Sequence, residues 1–125
     1  MKGMEELTMN RVMRKADVLR ILRANEAALR RDHFFKSLAL FGSVARDEAG
    51  PNSDVDLLVE FDRRISLFDL VGAAQHIEKL LGLPEDRVDL VLRRNVIPEL
   101  RDIIYGEAID VFDAEKVEIP HPAPA

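Results

Sequence analysis

The sequence predicts an α+β fold, an α/β sandwich in which helices flank a small mixed β-sheet. Three observations carry that expectation. Apolar residues recur at helical spacing in three separated segments, they alternate with period two in others, and the two kinds of segment interleave along the chain. A length of 125 residues, with 47% hydrophobic and 33% charged, suits one packed core and excludes wholesale disorder.

From Asp17 to Arg31, Val18, Ile21, Leu22 and Leu29 keep helical spacing with Arg20, Arg23, Arg30 and Arg31 between them, which predicts one amphipathic helix with a basic face. The run Leu38–Phe41 is too short for a stable helix and ends at Gly42 and Ser43, so it reads as a buried strand entering a turn. Asp54 to Phe61 alternates cleanly. Val55, Leu57, Val59 and Phe61 fall on one face and Asp54, Asp56, Leu58 and Glu60 on the other, as in a strand. Ser66 with Asp69 three residues later resembles a helix N-cap, and the helix it opens keeps its apolar period to Leu81, before Gly82 and Pro84. A third strand follows at Arg87–Leu92. Pro98 opens a helix carrying Leu100, Ile103 and Ile104, which Gly106 is expected to stop, and Ala108–Phe112 reads as the last strand. The pattern leaves the strand order open.

Composition removes several function classes. There are no cysteines, so disulfide frameworks, thiolate metal sites and cysteine nucleophiles are excluded. No apolar run approaches the ~18 residues of a membrane span, and Lys2, Glu5, Glu6, Asn10 and Arg11 leave no room for a signal-peptide core, so a cytoplasmic protein is expected. The net charge of -5 is uneven: residues 1–35 carry 8 basic and 5 acidic groups, the remainder 10 and 18. An acidic body suits a metal-binding cleft and does not suit general nucleic-acid binding, while the basic strip from Arg11 to Arg31 reads as a solvated helix face or a surface for an acidic partner. Three parts are expected: a polar segment at 1–16, one domain at 17–113, and a mobile tail at 114–125 broken by Pro120, Pro122 and Pro124.

The stretch that carries chemistry is residues 41–61, FGSVARDEAGPNSDVDLLVEF, in which ten residues separate a Gly-Ser turn from an Asp-x-Asp pair. Asp54 and Asp56 are two apart on a strand and therefore point to one face. Bare, they repel and share a proton unless a cation neutralises them, and an oxygen-only ligand set suits Mg²⁺ or Mn²⁺. Asp89 faces away from Val88, Leu90 and Leu92 in the third strand. If the second and third strands are neighbours, Asp89 joins the pair to hold two ions about 3.5 to 4 Å apart, the arrangement of in-line phosphoryl displacement. Gly42 permits a tight turn with close backbone approach, and Ser43 with the amides after it suits an anionic phosphate. Arg46 fits a triphosphate oxygen or balances Asp47, Glu48 or Glu60, and Ser53 is placed to brace the turn before the acids.

Gly-Ser followed by SDVDLLVEF and a later strand aspartate resembles the minimal nucleotidyltransferase family of the DNA polymerase beta superfamily, over roughly residues 17–113. The resemblance implies the nucleotidyltransferase fold, with Gly42 and Ser43 as the nucleotide-phosphate turn, Asp54 and Asp56 as the metal pair and Asp89 as the third catalytic carboxylate. ATP is the implied donor. Minimal members are similar to antitoxins that neutralise HEPN-domain ribonuclease toxins by complex formation and by transferring AMP to a toxin tyrosine, so a HEPN toxin is the implied partner, and a hetero-oligomer or a homodimer is expected. A non-catalytic binding antitoxin and a small-molecule, antibiotic-directed enzyme are the alternatives. Larger relatives carry extra domains for their acceptors, so the acceptor here is expected to come from outside the chain. One departure is visible: where the family often has Gly soon after the GSxAR element, this chain has Asp47, then Glu48.

Other residues have plainer readings. Asp89 also suits pairing with Arg87 or Arg93, and Ser43 also suits a helix cap. His33, His76 and His121 are scattered without ligand-like spacing and are expected to carry no chemistry. Tyr105, the only tyrosine, is expected to pack beside Ile103 and Ile104, with self-modification as its alternative.

Overall fold

A computed structural model describes residues 13–112. Its elements run α1 (Lys15–Ala24), α2 (Glu26–His33), β1 (Phe35–Phe41), α3 (Gly42–Ala45), β2 (Val55–Phe61), α4 (Leu67–Leu81), β3 (Val88–Leu92), a 3₁₀ turn (Arg93–Asn95), α5 (Pro98–Glu107) and β4 (Ile109–Asp110). Four strands form one mixed sheet in the order β3-β2-β1-β4. β1 pairs antiparallel with both β2 and β4, and β2 pairs parallel with β3. A parallel pair needs a long crossover. Helix α4 supplies it.

The strand parity expected from sequence sets the two faces of this sheet. Leu38 and Leu40 of β1 with Val55, Leu57 and Val59 of β2 are fully or almost fully buried, in one cluster with Val18, Leu22, Leu29, Ala73 and Ile77 from the helices. The opposite face has a much smaller cluster, Ala39, Leu58 and Val96, with Phe41, Val91, Ile104 and Ala108 around it. Among the described residues, that thin face is covered by the 3₁₀ turn and α5.

Helix α4 starts as its sequence demands. Ser66 Oγ accepts the Asp69 amide at 3.0 Å and Asp69 Oδ2 accepts the Ser66 amide at 3.2 Å, a reciprocal capping box. Gly82, at φ +70°, closes the other end in the left-handed conformation that glycine adopts without strain.

Three expectations need correction. The single helix over Asp17–Arg31 is two helices, because Asn25 turns its side chain onto its own backbone, donating from Nδ2 to the Ile21 carbonyl at 2.8 Å. The basic face is not simply solvated. Arg23 donates to the carbonyls of Val111 at 3.0 Å and Asp110 at 2.7 Å, and Arg30 pairs with buried Glu26 at 2.9 Å while lying 4.3 Å from the centre of the Phe112 ring. Finally, Gly106 does not stop α5, which runs through it to Glu107. The first described helix is α1 at Lys15, and most of the expected N-terminal segment and the proline tail lie outside the described residues.

Candidate active site

The thin face places the acids. In the register of β2 against β3, Asp56 lies directly opposite Asp89, and in that of β1 against β2 it lies opposite Phe41. Asp56, Asp89, Phe41 and Val91 line a cleft of about 350 Å³ with Asn95, Val96, Ile97, Leu100 and Ile104. Burial, then repulsion from Asp89, Asp54 and Glu107, pushes the Asp56 carboxyl up to about 6, with Arg46 acting in the other direction.

Asp54 precedes β2 at the rim, its side chain half exposed and its Oδ1 3.3 Å from Arg87 Nε. Arg87 also donates to the carbonyls of Pro51 (3.1 Å) and Ser53, so this guanidinium ties the loop before β2 to the start of β3. Buried Glu78 of α4 steadies the same place by accepting the Arg87 and Val88 amides at 3.2 and 3.3 Å. Ser53 braces its turn as expected, Oγ accepting the Gly50 amide at 2.8 Å. Among the described residues no three histidine or carboxylate side chains converge into a finished metal cage. Asp56 and Asp89 come together across the strand pair; Asp54 is turned toward Arg87.

Gly42 begins α3 at φ +80°, and a Cβ there would stand 2.3 Å from Asp56 Oδ2. Both the conformation and the contact require glycine. Its amide donates to Glu107 Oε2 at 2.8 Å, and Glu107 Oε1 accepts from Arg46 Nη1 at 2.8 Å. Arg46 Nε is 3.0 Å from Glu48 Oε1, and these two carboxylates hold the guanidinium more firmly charged. The balancing role of Arg46 is thus the one observed. Asp47 has φ +57°, which explains why glycine suits this position, and its Oδ1 accepts the Lys15 amide at 3.0 Å, so its charge meets the start of α1.

Sequence reasoning missed Glu107, which reaches the Gly-Ser turn from the end of α5. It also separated two histidines that touch: His33 Nε2 and His76 Nδ1 are 2.8 Å apart. Tyr105 is not packed away. The residue is 40% exposed, with the Arg93 guanidinium 5.2 Å from the ring centre. A second cleft, of about 340 Å³, opens at the other end of β2 and β3 among Lys36, Arg63, Arg64, Arg93 and Arg94. Glu60 is the acid in its lining, and Asp54, Asp56 and Asp89 lie outside it.

The model of the nucleotidyltransferase domain family matches residues 22–111. This chain belongs to that family. As a nucleotidyltransferase it is 35% identical over 91 residues to the protein adenylyltransferase MntA of Thermococcus cleftensis, covering 73% of this chain and 89% of that one. It is 42% identical over 80 residues to a Methanocaldococcus jannaschii protein provisionally named a protein adenylyltransferase, covering 64% and 83%. A solved chain provisionally described as a minimal nucleotidyltransferase shares 40% identity with a TM-score of 0.58, over 73% of this chain and 93% of that one. A toxin–antitoxin complex solved with AMP-PNP shares the fold at 21% identity and a TM-score of 0.59, over 77% of each chain. Among the described residues of this nucleotidyltransferase, no helix is long and apolar enough to cross a membrane.

Proposed function

We propose that the chain is an antitoxin that transfers AMP from ATP to a hydroxyl, a tyrosine hydroxyl first, of a HEPN-domain ribonuclease toxin and so neutralises it. The observation that carries this reading is Asp56 facing Asp89 across the parallel β2–β3 pair at one cleft, with the turn at Gly42 packed against the Asp56 carboxylate. Support for the protein acceptor comes from the adenylyltransferase name of the Thermococcus relative, and for the toxin from the antitoxin complexes that share the fold.

The donor set fits a hard divalent cation. It is made of carboxylate oxygens alone, and burial with repulsion from Asp89, Asp54 and Glu107 raises the Asp56 carboxyl, a cost that a cation would relieve. Asp56 and Asp89 would hold Mg²⁺ or Mn²⁺, with Asp54 joining once it leaves Arg87. Such an ion, when bound, neutralises the triphosphate and favours attack at phosphorus. The residues of the chain do the rest. Gly42, Ser43 and Arg46 seat the phosphates, Ser53 and Arg87 hold the acid-bearing loop, and Asp89 takes the proton of the acceptor hydroxyl. The hydroxyl oxygen forms a bond to the α-phosphorus, the bond to the β-phosphate oxygen breaks, and pyrophosphate leaves.

Incubation of the purified chain with a HEPN-domain partner, ATP and Mg²⁺ should raise the partner's mass by one AMP, and Asp54→Ala or Asp56→Ala should abolish the increase. No increase with either Mg²⁺ or Mn²⁺ would remove the transfer claim for that partner. A second reading, neutralisation by binding alone, is favoured by one observation: two groups assigned to the phosphates, the Gly42 amide and Arg46, already hold Glu107. An Asp54→Ala, Asp56→Ala double variant that still neutralises the toxin would select it.

A further inference from the structure

Glu107 is the last residue of α5, where the helix dipole is negative and a carboxylate is unfavourable. Four-fifths of its side chain is nonetheless buried, next to a site that already holds three aspartates. The compensation is specific: one oxygen accepts the Gly42 amide and the other the Arg46 guanidinium, each at 2.8 Å. An anionic oxygen pair gripped by a backbone amide and a guanidinium has the charge and spacing of two phosphate oxygens. These are the same donors that the nucleotide reading above assigns to the triphosphate, on which this inference rests.

We infer that Glu107 is a tethered occupant of the phosphate turn, an internal anion that a nucleotide's phosphate displaces before it can bind. While Glu107 is seated, the Gly42 amide and one Nη1 donor of Arg46 are occupied and a further negative charge faces Asp56. Once displaced, it leaves the turn to the phosphate and removes one source of repulsion on Asp56. Glu107 therefore sets nucleotide affinity without touching the reacting atoms, and it keeps the turn ordered when no nucleotide is present. The residue acts by competition, so its loss strengthens binding, whereas loss of a ligand weakens it.

Calorimetric titration of AMP-PNP with Mg²⁺ into the full chain tests this, using wild type, Glu107→Gln, Glu107→Ala and Glu48→Gln. Gln lacks the charge and Ala lacks both acceptors, so each should tighten Kd by about tenfold. Glu48→Gln removes the other carboxylate from Arg46 and leaves the Gly42 amide occupied, so it should change Kd less than threefold. Equal or weaker binding by both Glu107 variants overturns the inference and leaves the nucleotide site standing, as does a Glu48→Gln effect equal to theirs. Absence of binding by every protein overturns both. The unaltered chain gives a check that does not depend on a variant folding: with ¹³C-labelled glutamate, saturating AMP-PNP should move the Glu107 carboxyl resonance, and an unmoved resonance in the bound state overturns displacement.

Discussion

The two faces of the sheet differ in depth and in purpose. One is sealed by α1, α2 and α4 over Val55, Leu57 and Val59; the other has three buried apolar residues and a cleft bearing Asp56 and Asp89. Alternating residues of a single strand supply both, so β2 is a wall of the core at odd positions and a wall of the site at even ones. The deep face holds the backbone still enough for the shallow face to keep carboxylates together against their repulsion. Stability and chemistry are thus separated by direction, not by position along the chain.

Neighbouring leucines offer the sharpest way to break this contrast, and the largest effect. Leu57 and Leu58 are both fully buried but point to opposite faces. Large-to-small changes in a core cost about 2–5 kcal/mol, depending on how far the site can collapse. Leu57→Ala should fall near the upper end, because helices on that side hold the cavity open. Leu58→Ala should fall near the lower end, because the 3₁₀ turn and α5 can settle inward. Urea unfolding of both variants measures the difference, and equal losses would mean that the thin face is as rigid as the thick one.

Gly42→Ala comes next. It forces a side chain into φ +80° and onto Asp56 Oδ2, so it should cost roughly 1–3 kcal/mol and disturb the acid that the reading places on the cation. AMP transfer should fall more than tenfold while thermal unfolding remains cooperative. An active, fully stable Gly42→Ala chain would show that the turn has slack.

Asp56→Asn should separate the faces by sign. The folded-state carboxyl is pushed up to about 6, above the ordinary 3.8 of the unfolded chain, so the folded state binds this proton more tightly. Its contribution to stability is fully present below 3.8 and lost as pH rises through about 6. The full conversion, ~1.4 kcal/mol for each pH unit, is reduced by solvent at this partly buried site to about 1 kcal/mol. Asp56→Asn should therefore stabilise the chain by about 1 kcal/mol at pH 8, by less at pH 4.5, while abolishing transfer. Destabilisation at pH 8 would mean that the carboxylate has a counterion in the free protein.

How much of this was legible in the sequence follows from range. Spacing within a segment encodes direction, so the parity of β2 and β3, the Ser66–Asp69 capping box and the opposition of Asp89 to its apolar neighbours could be read before any coordinates. What spacing does not encode is which distant side chain arrives. Glu107 meets Gly42 across 65 residues, and Arg87 meets Asp54 because β3 lies beside β2, an adjacency the pattern left open. Asn25 was legible in principle, since asparagine competes for backbone within helices, but four arginines and regular leucines outweighed it.

The smallest expected effect comes from the thick face and runs opposite to that of Asp56. His33 of α2 and His76 of α4 share one hydrogen bond at 2.8 Å, which needs at least one neutral ring, because two imidazolium ions would present only donors to each other. Burial, then His76, lowers the pKa of His33, while Asp32 and Asp69 oppose the shift. A folded-state pKa below the unfolded value of 6.5 means that the pair's contribution is fully present above 6.5 and is lost as pH falls through the folded value. The two faces therefore titrate against each other: acid relieves the site and loosens the packing of α2 on α4. In wild type the opposing slopes partly cancel. In an Asp56→Asn background only the histidine slope remains, and unfolding free energy should drop between pH 7 and 5 by a few tenths of a kcal/mol, up to ~1 kcal/mol. Adding His33→Phe should flatten that slope, since the ring then neither titrates nor leaves His76 facing a partner that must stay neutral. A slope unchanged by His33→Phe would place the acid sensitivity elsewhere and dissolve the opposition between the two faces.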